Sequence, residues 1–164
     1  MTVISTTKDP ENLTLTIVAE FDSSPERVWA VWEDPRKLER WWGPPTYPAT
    51  FTRHDFVVGG ESRYFMTGAA GNTSTGWLQM EVIDKPNRIE FANGFAGDDG
   101  EPMPDMPPAT GIATFEATGD GTRMTAITQF LDLAQMEMMI GMGMAEGMTQ
   151  AIGQIDALLT SASV

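Results

Sequence analysis

The spacing of apolar residues changes once along the chain, near residue 132, and this change constrains the fold more than any other feature. From residue 13 to residue 131, runs of alternating apolar and polar residues are separated by Gly, Pro, Asn and Asp, a pattern typical of strands joined by short turns. From residue 133 to residue 159, apolar residues recur every three or four positions, as on one face of a helix. A sheet followed by one long amphipathic helix predicts an α+β domain.

The first part of the chain divides into seven predicted strands and two short helices. The first strand covers residues 13–21. A Ser-Ser-Pro-Glu run then begins a helix that ends before Pro35, and a second helix over 36–42 ends at Gly43-Pro44-Pro45. Short turns between the later strands indicate antiparallel pairing. These six strands are predicted at residues 47–56, 61–67, 76–83, 88–92, 111–118 and 122–131.

Composition indicates one globular domain. The chain has 164 residues, of which 41% are hydrophobic and 20% charged, and we expect a single domain over residues 1–164 with its core at about 13–159. It contains no cysteine, which excludes disulfides and thiolate catalysis. Residues 1–10 contain no apolar run of the kind that a signal peptide carries, and no stretch approaches the length of about 20 apolar residues that spans a bilayer. We therefore expect a cytoplasmic protein that does not insert into membranes.

The charge balance limits the partners. Ten basic residues stand against 23 acidic ones, for a formal net charge of -13. After Arg88 the only basic residue is Arg123, against eleven acids. Nucleic acids and anionic membranes are bound by clustered Lys and Arg, so this acidic protein is not expected to bind either of them.

Five short motifs occur in order along the chain and resemble those of one family. They resemble the motifs of AHSA-type proteins, homologues of the heat-shock-chaperone ATPase activator within the START-like (SRPBCC) superfamily. The motifs are Arg27-Val28-Trp29 with Asp34-Pro35 and Trp41-Trp42-Gly43-Pro44; Val58-Gly59-Gly60 with Arg63-Tyr64; Lys85-Pro86-Asn87-Arg88-Ile89; Gly121-Thr122-Arg123-Met124-Thr125; and Glu146-Gly147-Met148 with Ile152.

The resemblance implies the helix-grip fold. In this fold a curved antiparallel sheet of about seven strands wraps around a long C-terminal helix, and an apolar cavity lies between them. Members of the family bind hydrophobic ligands, a few relatives aromatise or cyclise polyketides, and the chaperone activators contact their ATPase through this domain.

Three departures from the family pattern bear on the cavity. Met148 stands where the family has tryptophan, and Ser62 stands where it often has an aromatic ring. Both changes remove bulk from positions expected to point inward, so they either enlarge the cavity or are filled by repacking. The acidic, proline-rich segment 94–108 is the third departure, and it could act as a lid near the cavity entrance.

Aromatic and methionine side chains supply the candidate cavity lining. Such side chains with a few polar tips are typical of small-molecule pockets, although the same rings also serve as plain core. Strand alternation favours one face for Ser62, Tyr64 and Met66, whereas the inward face of the strand that carries Trp77 stays undecided. The expected lining residues are Trp42, Ser62, Tyr64, Met66, Trp77, Phe91, Phe95, Phe115, Met144 and Met148.

Six methionines lie within thirteen residues, namely Met136, Met138, Met139, Met142, Met144 and Met148. Methionine fills irregular apolar space and is frequent on promiscuous binding surfaces, so core, pocket and protein-contact roles are all open. Met138 and Met142 lie off the stripe through Met144 and Met148. Exposed methionines at those two positions would favour a homodimer or another partner contact.

Catalytic candidates are few. His54 is the only histidine; it is expected either on a solvated strand face or as a general base in the cavity, and Glu61 is the other weak candidate. No nucleophile motif occurs, and the acids of segment 94–108 fit no calcium-binding loop. We therefore expect no metal and no cofactor, and no residue set demands catalysis.

These observations favour the binding of a small hydrophobic molecule, aromatic or lipid-like, between the sheet and the C-terminal helix. Ser62 and Tyr64 would orient it through their hydroxyls. One alternative is a polyketide cyclase or aromatase-like enzyme that uses the same cavity, with His54, Tyr64 and Glu61 as its ionisable groups. Another is a module that contacts a chaperone ATPase, although the sequence gives no specific signal for that partner.

Overall fold

The computed structural model describes residues 3–160, in which eight strands form one antiparallel sheet. The sheet order is β1-β2-β8-β7-β6-β5-β4-β3. Five helices accompany it, so the α+β helix-grip expectation is confirmed. The strands are β1 (Val3–Asp9), β2 (Thr14–Phe21), β3 (Ala49–His54), β4 (Glu61–Thr67), β5 (Thr73–Asp84), β6 (Arg88–Phe95), β7 (Ala109–Thr118) and β8 (Gly121–Gln129).

The sheet has one strand more than the seven expected, because β1 carries no alternating pattern. Its five central residues are all exposed, so no apolar face identifies it in the sequence. It forms through its antiparallel pairing with β2, and Thr6 Oγ1 lies 3.0 Å from Thr149 Oγ1 on a C-terminal helix. By contrast, β2 alternates strictly between buried and half-buried residues, and this alternation made it predictable.

Two short helices, α1 (Pro25–Glu33) and α2 (Pro35–Trp42), connect β2 to β3, as predicted. Each begins at a side-chain cap followed by proline: Ser24 Oγ accepts from the Arg27 amide at 3.4 Å, and Asp34 Oδ1 accepts from the Arg36 amide at 2.9 Å. Four buried side chains on α1 and two on α2 join the core, namely Val28, Trp29, Val31, Trp32, Leu38 and Trp41.

The predicted single C-terminal helix is instead three consecutive helices. They are α3 (Leu133–Gly141), α4 (Met144–Gly153) and α5 (Ile155–Thr160). Gly143 ends the first of them, since its φ of +90° lies in the left-handed region, where a helix cannot continue. The apolar periodicity runs through this break, so the sequence pattern did not show it.

The buried core is divided into two clusters. The larger joins α1, α2 and α5 to the inner face of most strands, and the smaller consists of Leu15, Ala109, Phe130, Met136 and Ala145. Met148 on α4 packs against both clusters. A core divided in this way leaves room for a cavity between its parts. Among residues 3–160, no helix is long and apolar enough to cross a membrane.

Candidate functional site

A cavity of about 490 Å³ lies between the sheet and the C-terminal helices. Its volume is that of a small-molecule site. Two lining residues, Tyr47 and Met142, are 38% and 64% exposed, so the cavity reaches the surface near them. The lining is mainly apolar, with a few hydroxyls and amides, and none of its residues in the described part of the chain carries a charge.

Aromatic rings form one wall of the cavity. The ring centroid of Trp42 lies 6.0 Å from that of Tyr64 and 6.0 Å from that of Phe91, both with edge-to-face geometry. Trp32 and Trp41 extend the wall with centroids 4.9 Å apart. Each ring is held by another ring, so the wall is a packed structure rather than loose side chains.

Two glycines on the sheet make room for this wall. Gly76 is the cross-strand partner of Tyr64, and Gly111 is the partner of Phe91. A Cβ atom on Gly76 would clash with the Tyr64 hydroxyl, and one on Gly111 would clash with the Phe91 ring, both at under 3.0 Å. Each ring therefore occupies the space that a side chain on its partner glycine would need.

Tyr64 and Asn93 form a hydrogen-bonded polar spot within the mainly apolar lining. The Asn93 Nδ2 atom donates to the Tyr64 hydroxyl at 3.2 Å and to the Trp77 carbonyl at 3.0 Å. Burial raises the pKa of Tyr64, and hydrogen bonds from Trp42 and Asn93 partly oppose that rise. The phenol is therefore neutral at physiological pH and can act only as a hydrogen-bond donor or acceptor.

Seven of the ten expected lining residues border the cavity, and three do not. Trp77 pairs with Arg63 and Gly94, which places it on the sheet face opposite Tyr64. Phe115 packs edge-to-face against Trp29 within the core, at 5.5 Å. The seven that border the cavity are Trp42, Tyr64, Met66, Phe91, Phe95, Met144 and Met148.

Ser62 is the third exception, and it explains where His54 lies. Ser62 shares the face of Tyr64, but it is fully buried and its Oγ lies 2.7 Å from His54 Nδ1. The other ring nitrogen, Nε2, lies 3.0 Å from the Trp32 carbonyl. The expectation of a solvated histidine is therefore wrong: both ring nitrogens are engaged, and burial lowers the pKa of His54.

Neither catalytic candidate borders the cavity. His54 is held between Ser62 and Trp32, and Glu61 forms an ion pair with Arg63 at 2.7 Å. Tyr64 is thus the one ionisable candidate of the three that does. Over residues 3–160 no group of three or more His, Cys, Asp or Glu side chains could hold a metal ion.

The methionine-rich helices form the other wall. Met139, Met142, Met144 and Met148 line the cavity, whereas Met136 is buried in the smaller core cluster. Met138 and Met142 are 44% and 64% exposed, in line with their predicted position off the apolar stripe. A methionine wall adapts its shape to a ligand more readily than one of branched residues.

Segment 94–108 borders a second, smaller cavity of about 240 Å³. Asp105, Met106 and Pro107 of this segment face α3 across it, and Gln135 donates to the Pro107 carbonyl at 2.7 Å. The two cavities share Asn93 and Met139 among their walls. This contact is consistent with the predicted lid, although opening of the segment stays a prediction.

Several lining residues escaped the sequence analysis. Trp32 falls in the predicted helix that ends before Pro35 and Trp41 in the predicted helix over 36–42, but neither was among the expected lining residues. Gly76, Asn93 and Gly111 carried no signal on their own. The role of Gly76 and Gly111 depends on the strand register, because each is the cross-strand partner of an aromatic residue. Both therefore become visible only once the pairing of β4 with β5 and of β6 with β7 is known.

Comparisons with known proteins agree with this architecture. Residues 22–160 match the family model described as Activator of Hsp90 ATPase homolog 1-like protein. A solution NMR structure of a protein from Arthrobacter aurescens is 50% identical, with a TM-score of 0.93 over 97% of this chain and 92% of the other. The crystal structure of protein Ms6760 from Mycobacterium smegmatis is 41% identical, with a TM-score of 0.89 over 98% of each chain.

A more distant solved structure shares the fold alone. The AHSA1 protein from Silicibacter pomeroyi is 24% identical, with a TM-score of 0.72 over 89% of this chain and 96% of the other. Among curated proteins none matches the chain.

Proposed function

The chain belongs to the Activator of Hsp90 ATPase homolog 1-like family, and from that premise we propose that it binds a small hydrophobic molecule in the cavity between the sheet and the C-terminal helices. The observation that carries the proposal is the cavity itself, about 490 Å³ in volume and lined by aromatic rings, methionines and aliphatic side chains. Removing the apolar surface of a ligand from water supplies the driving force for binding.

Some lining residues determine the shape of the cavity, and others determine the orientation of the ligand. Trp42 and Phe91 offer rigid ring surfaces, while Met144 and Met148 offer flexible thioethers that pack around a ligand of variable outline. Tyr64, whose hydroxyl accepts a hydrogen bond from Asn93, supplies the polar contact that fixes the ligand's orientation.

Membership of a family described by its likeness to an Hsp90 ATPase activator also favours contact with a chaperone ATPase. The two functions are separable by experiment. A pull-down of a chaperone ATPase by this protein would support the contact, and its failure would leave ligand binding as the single proposal.

The first test is native mass spectrometry of gently purified protein, compared with its denatured mass. Extra mass that is lost on denaturation would support ligand binding and give the mass of the ligand. A bare native mass, together with no binding of a neutral naphthalene-based fluorophore, would contradict the proposal. The same spectrum reports whether the protein is a dimer.

A substitution at position 148 tests whether the ligand binds in this cavity. Met148→Trp places a large ring between the two core clusters, and it is expected to fill part of the cavity and weaken fluorophore binding at least about tenfold. Leu131→Trp is the matched control, because Leu131 is 61% exposed and does not border the cavity. Equal affinity in the two variants would place the ligand elsewhere.

A further inference from the structure

We infer that the ligand is an uncharged apolar molecule carrying a hydrogen-bond acceptor of the carbonyl type, which the Tyr64 hydroxyl binds. This inference rests on the proposed function and specifies the chemical class of ligand. Three features of the cavity carry it: the orientation of the Asn93 amide, the unused proton of Tyr64 and the absence of charge on the described lining.

The Trp77 carbonyl fixes the orientation of the Asn93 amide. A main-chain carbonyl can only accept a hydrogen bond, so the side-chain atom 3.0 Å from it must be the nitrogen. The same nitrogen lies 3.2 Å from the Tyr64 hydroxyl oxygen. An amide nitrogen carries two hydrogens, and these two contacts use both of them. At this contact Tyr64 is therefore the acceptor.

The proton of the Tyr64 hydroxyl is consequently left for a ligand. Within residues 3–160 the hydroxyl has no protein acceptor for it. The hydroxyl oxygen lies directly over Gly76, whose missing side chain leaves it at the cavity wall. A buried donor without an acceptor is unfavourable, so a ligand with an acceptor at this point gains more than a plain hydrocarbon.

The charge distribution excludes an ionised ligand. No Lys, Arg or His side chain borders the cavity in the described residues, so a carboxylate or phosphate would lose its hydration without a counter-ion. The adjoining smaller cavity presents Asp105 and Asp132, and the chain as a whole carries a net charge of -13. Both repel an anion that approaches from that side. Among the described residues the lining has no carboxylate either, so a cation would also lack a partner.

The test compares two neutral fluorophores that differ in one group. The first is prodan, a ketone-bearing dimethylaminonaphthalene, and the second is its analogue in which a methylene replaces the carbonyl. Both are titrated into the wild-type protein, Tyr64→Phe and Thr128→Val. Thr128 also borders the cavity, so its variant removes a different hydroxyl. Anilinonaphthalene sulfonate serves as the anionic probe.

Tyr64→Phe is expected to weaken prodan binding about 3- to 10-fold while it changes binding of the methylene analogue less than about twofold. The preference for the ketone is expected to persist in Thr128→Val. The carbonyl stretch of bound prodan should lie at lower frequency in the wild type than in Tyr64→Phe. This shift tests the hydrogen bond even if the two proteins differ little in their affinity for prodan.

The outcomes separate this inference from the proposal on which it rests. Equal effects of Tyr64→Phe on both neutral probes, with an unshifted carbonyl stretch, would overturn the inference and leave ligand binding intact. Sulfonate binding as tight as prodan binding would overturn the neutrality of the ligand. No binding of any probe to the wild-type protein would contradict the proposed function itself.

Discussion

His54 has a defined protonation state because of its two contacts. The Trp32 carbonyl accepts only, so the Nε2 atom of His54 carries the proton and donates to it, while Nδ1 accepts from the Ser62 hydroxyl. Burial disfavours the charged ring, which lowers the pKa of His54 below its usual value of 6.5. The hydrogen bond to Trp32 and the negative charges of Asp55 and Asp34 oppose this effect but do not cancel it.

The residue-scale prediction concerns the pH dependence of stability. The unfolded chain binds the His54 proton near pH 6.5 and the folded protein only at lower pH. The neutral ring therefore contributes fully to the free energy of unfolding above pH 6.5, and that contribution is lost as the pH falls below it. His54→Gln should flatten this dependence. Because His54 is the only histidine, its NMR titration is unambiguous, and a midpoint at or above 6.5 would contradict the prediction.

At the scale of elements, alanine substitution of two glycines four residues apart should change the free energy of unfolding in opposite directions. A Cβ atom meets nothing within 4 Å at either Gly143 or Gly147, so packing does not distinguish them. Gly147 lies inside α4, where alanine should raise the free energy of unfolding by about 0.5–1 kcal/mol. Gly143 has a φ of +90°, where alanine should lower it by about 1–2 kcal/mol.

Chemical denaturation of the two variants beside the wild type checks this pair. The slope of the free energy of unfolding against denaturant should be the same in all three proteins, since the same surface is exposed on unfolding. A gain of stability in Gly143→Ala would mean that α3 and α4 join into one helix, which would contradict a break at Gly143.

The same elements show how far the sequence could predict the structure. Alternation identified β2, and the Ser24 and Asp34 caps with their prolines identified α1 and α2, because these signals are local. β1 forms through contacts distant in sequence, chiefly its pairing with β2, and no pattern in its own residues marks it. The break at Gly143 lay hidden because glycine is compatible with both a helix and its end.

The lining residues on strands were predictable only where alternation along a single strand fixes the sheet face of each side chain. Tyr64 and Met66 share a face by alternation, and both border the cavity. Trp77 was included among the expected lining residues while its face stayed undecided, because that face depends on the register with Tyr64, which only the folded sheet fixes. Ser62 has the predicted parity but binds His54, a contact between two strands that a single sequence does not reveal.

At the scale of the whole molecule, the excess of acidic residues should make stability depend on salt. The net charge of -13 opposes compaction, whereas surface ion pairs such as Arg123 with Glu20 at 2.8 Å favour it. Salt screens both effects, and exposed ion pairs contribute only about 0–1 kcal/mol each. With 23 acids against 10 basic residues, repulsion is the larger effect.

Moderate sodium chloride at pH 7 should therefore raise the melting temperature by several degrees, since screening shortens the reach of charge from about 30 Å at 0.01 M to about 8 Å at 0.15 M. Sucrose at equal osmolarity is the control for non-ionic effects. Asp98→Asn combined with Glu137→Gln, both at exposed positions, should raise the melting temperature at low salt and reduce its salt dependence. A melting temperature that falls as salt is added would show instead that the ion pairs stabilise the protein by more than repulsion between acidic side chains destabilises it.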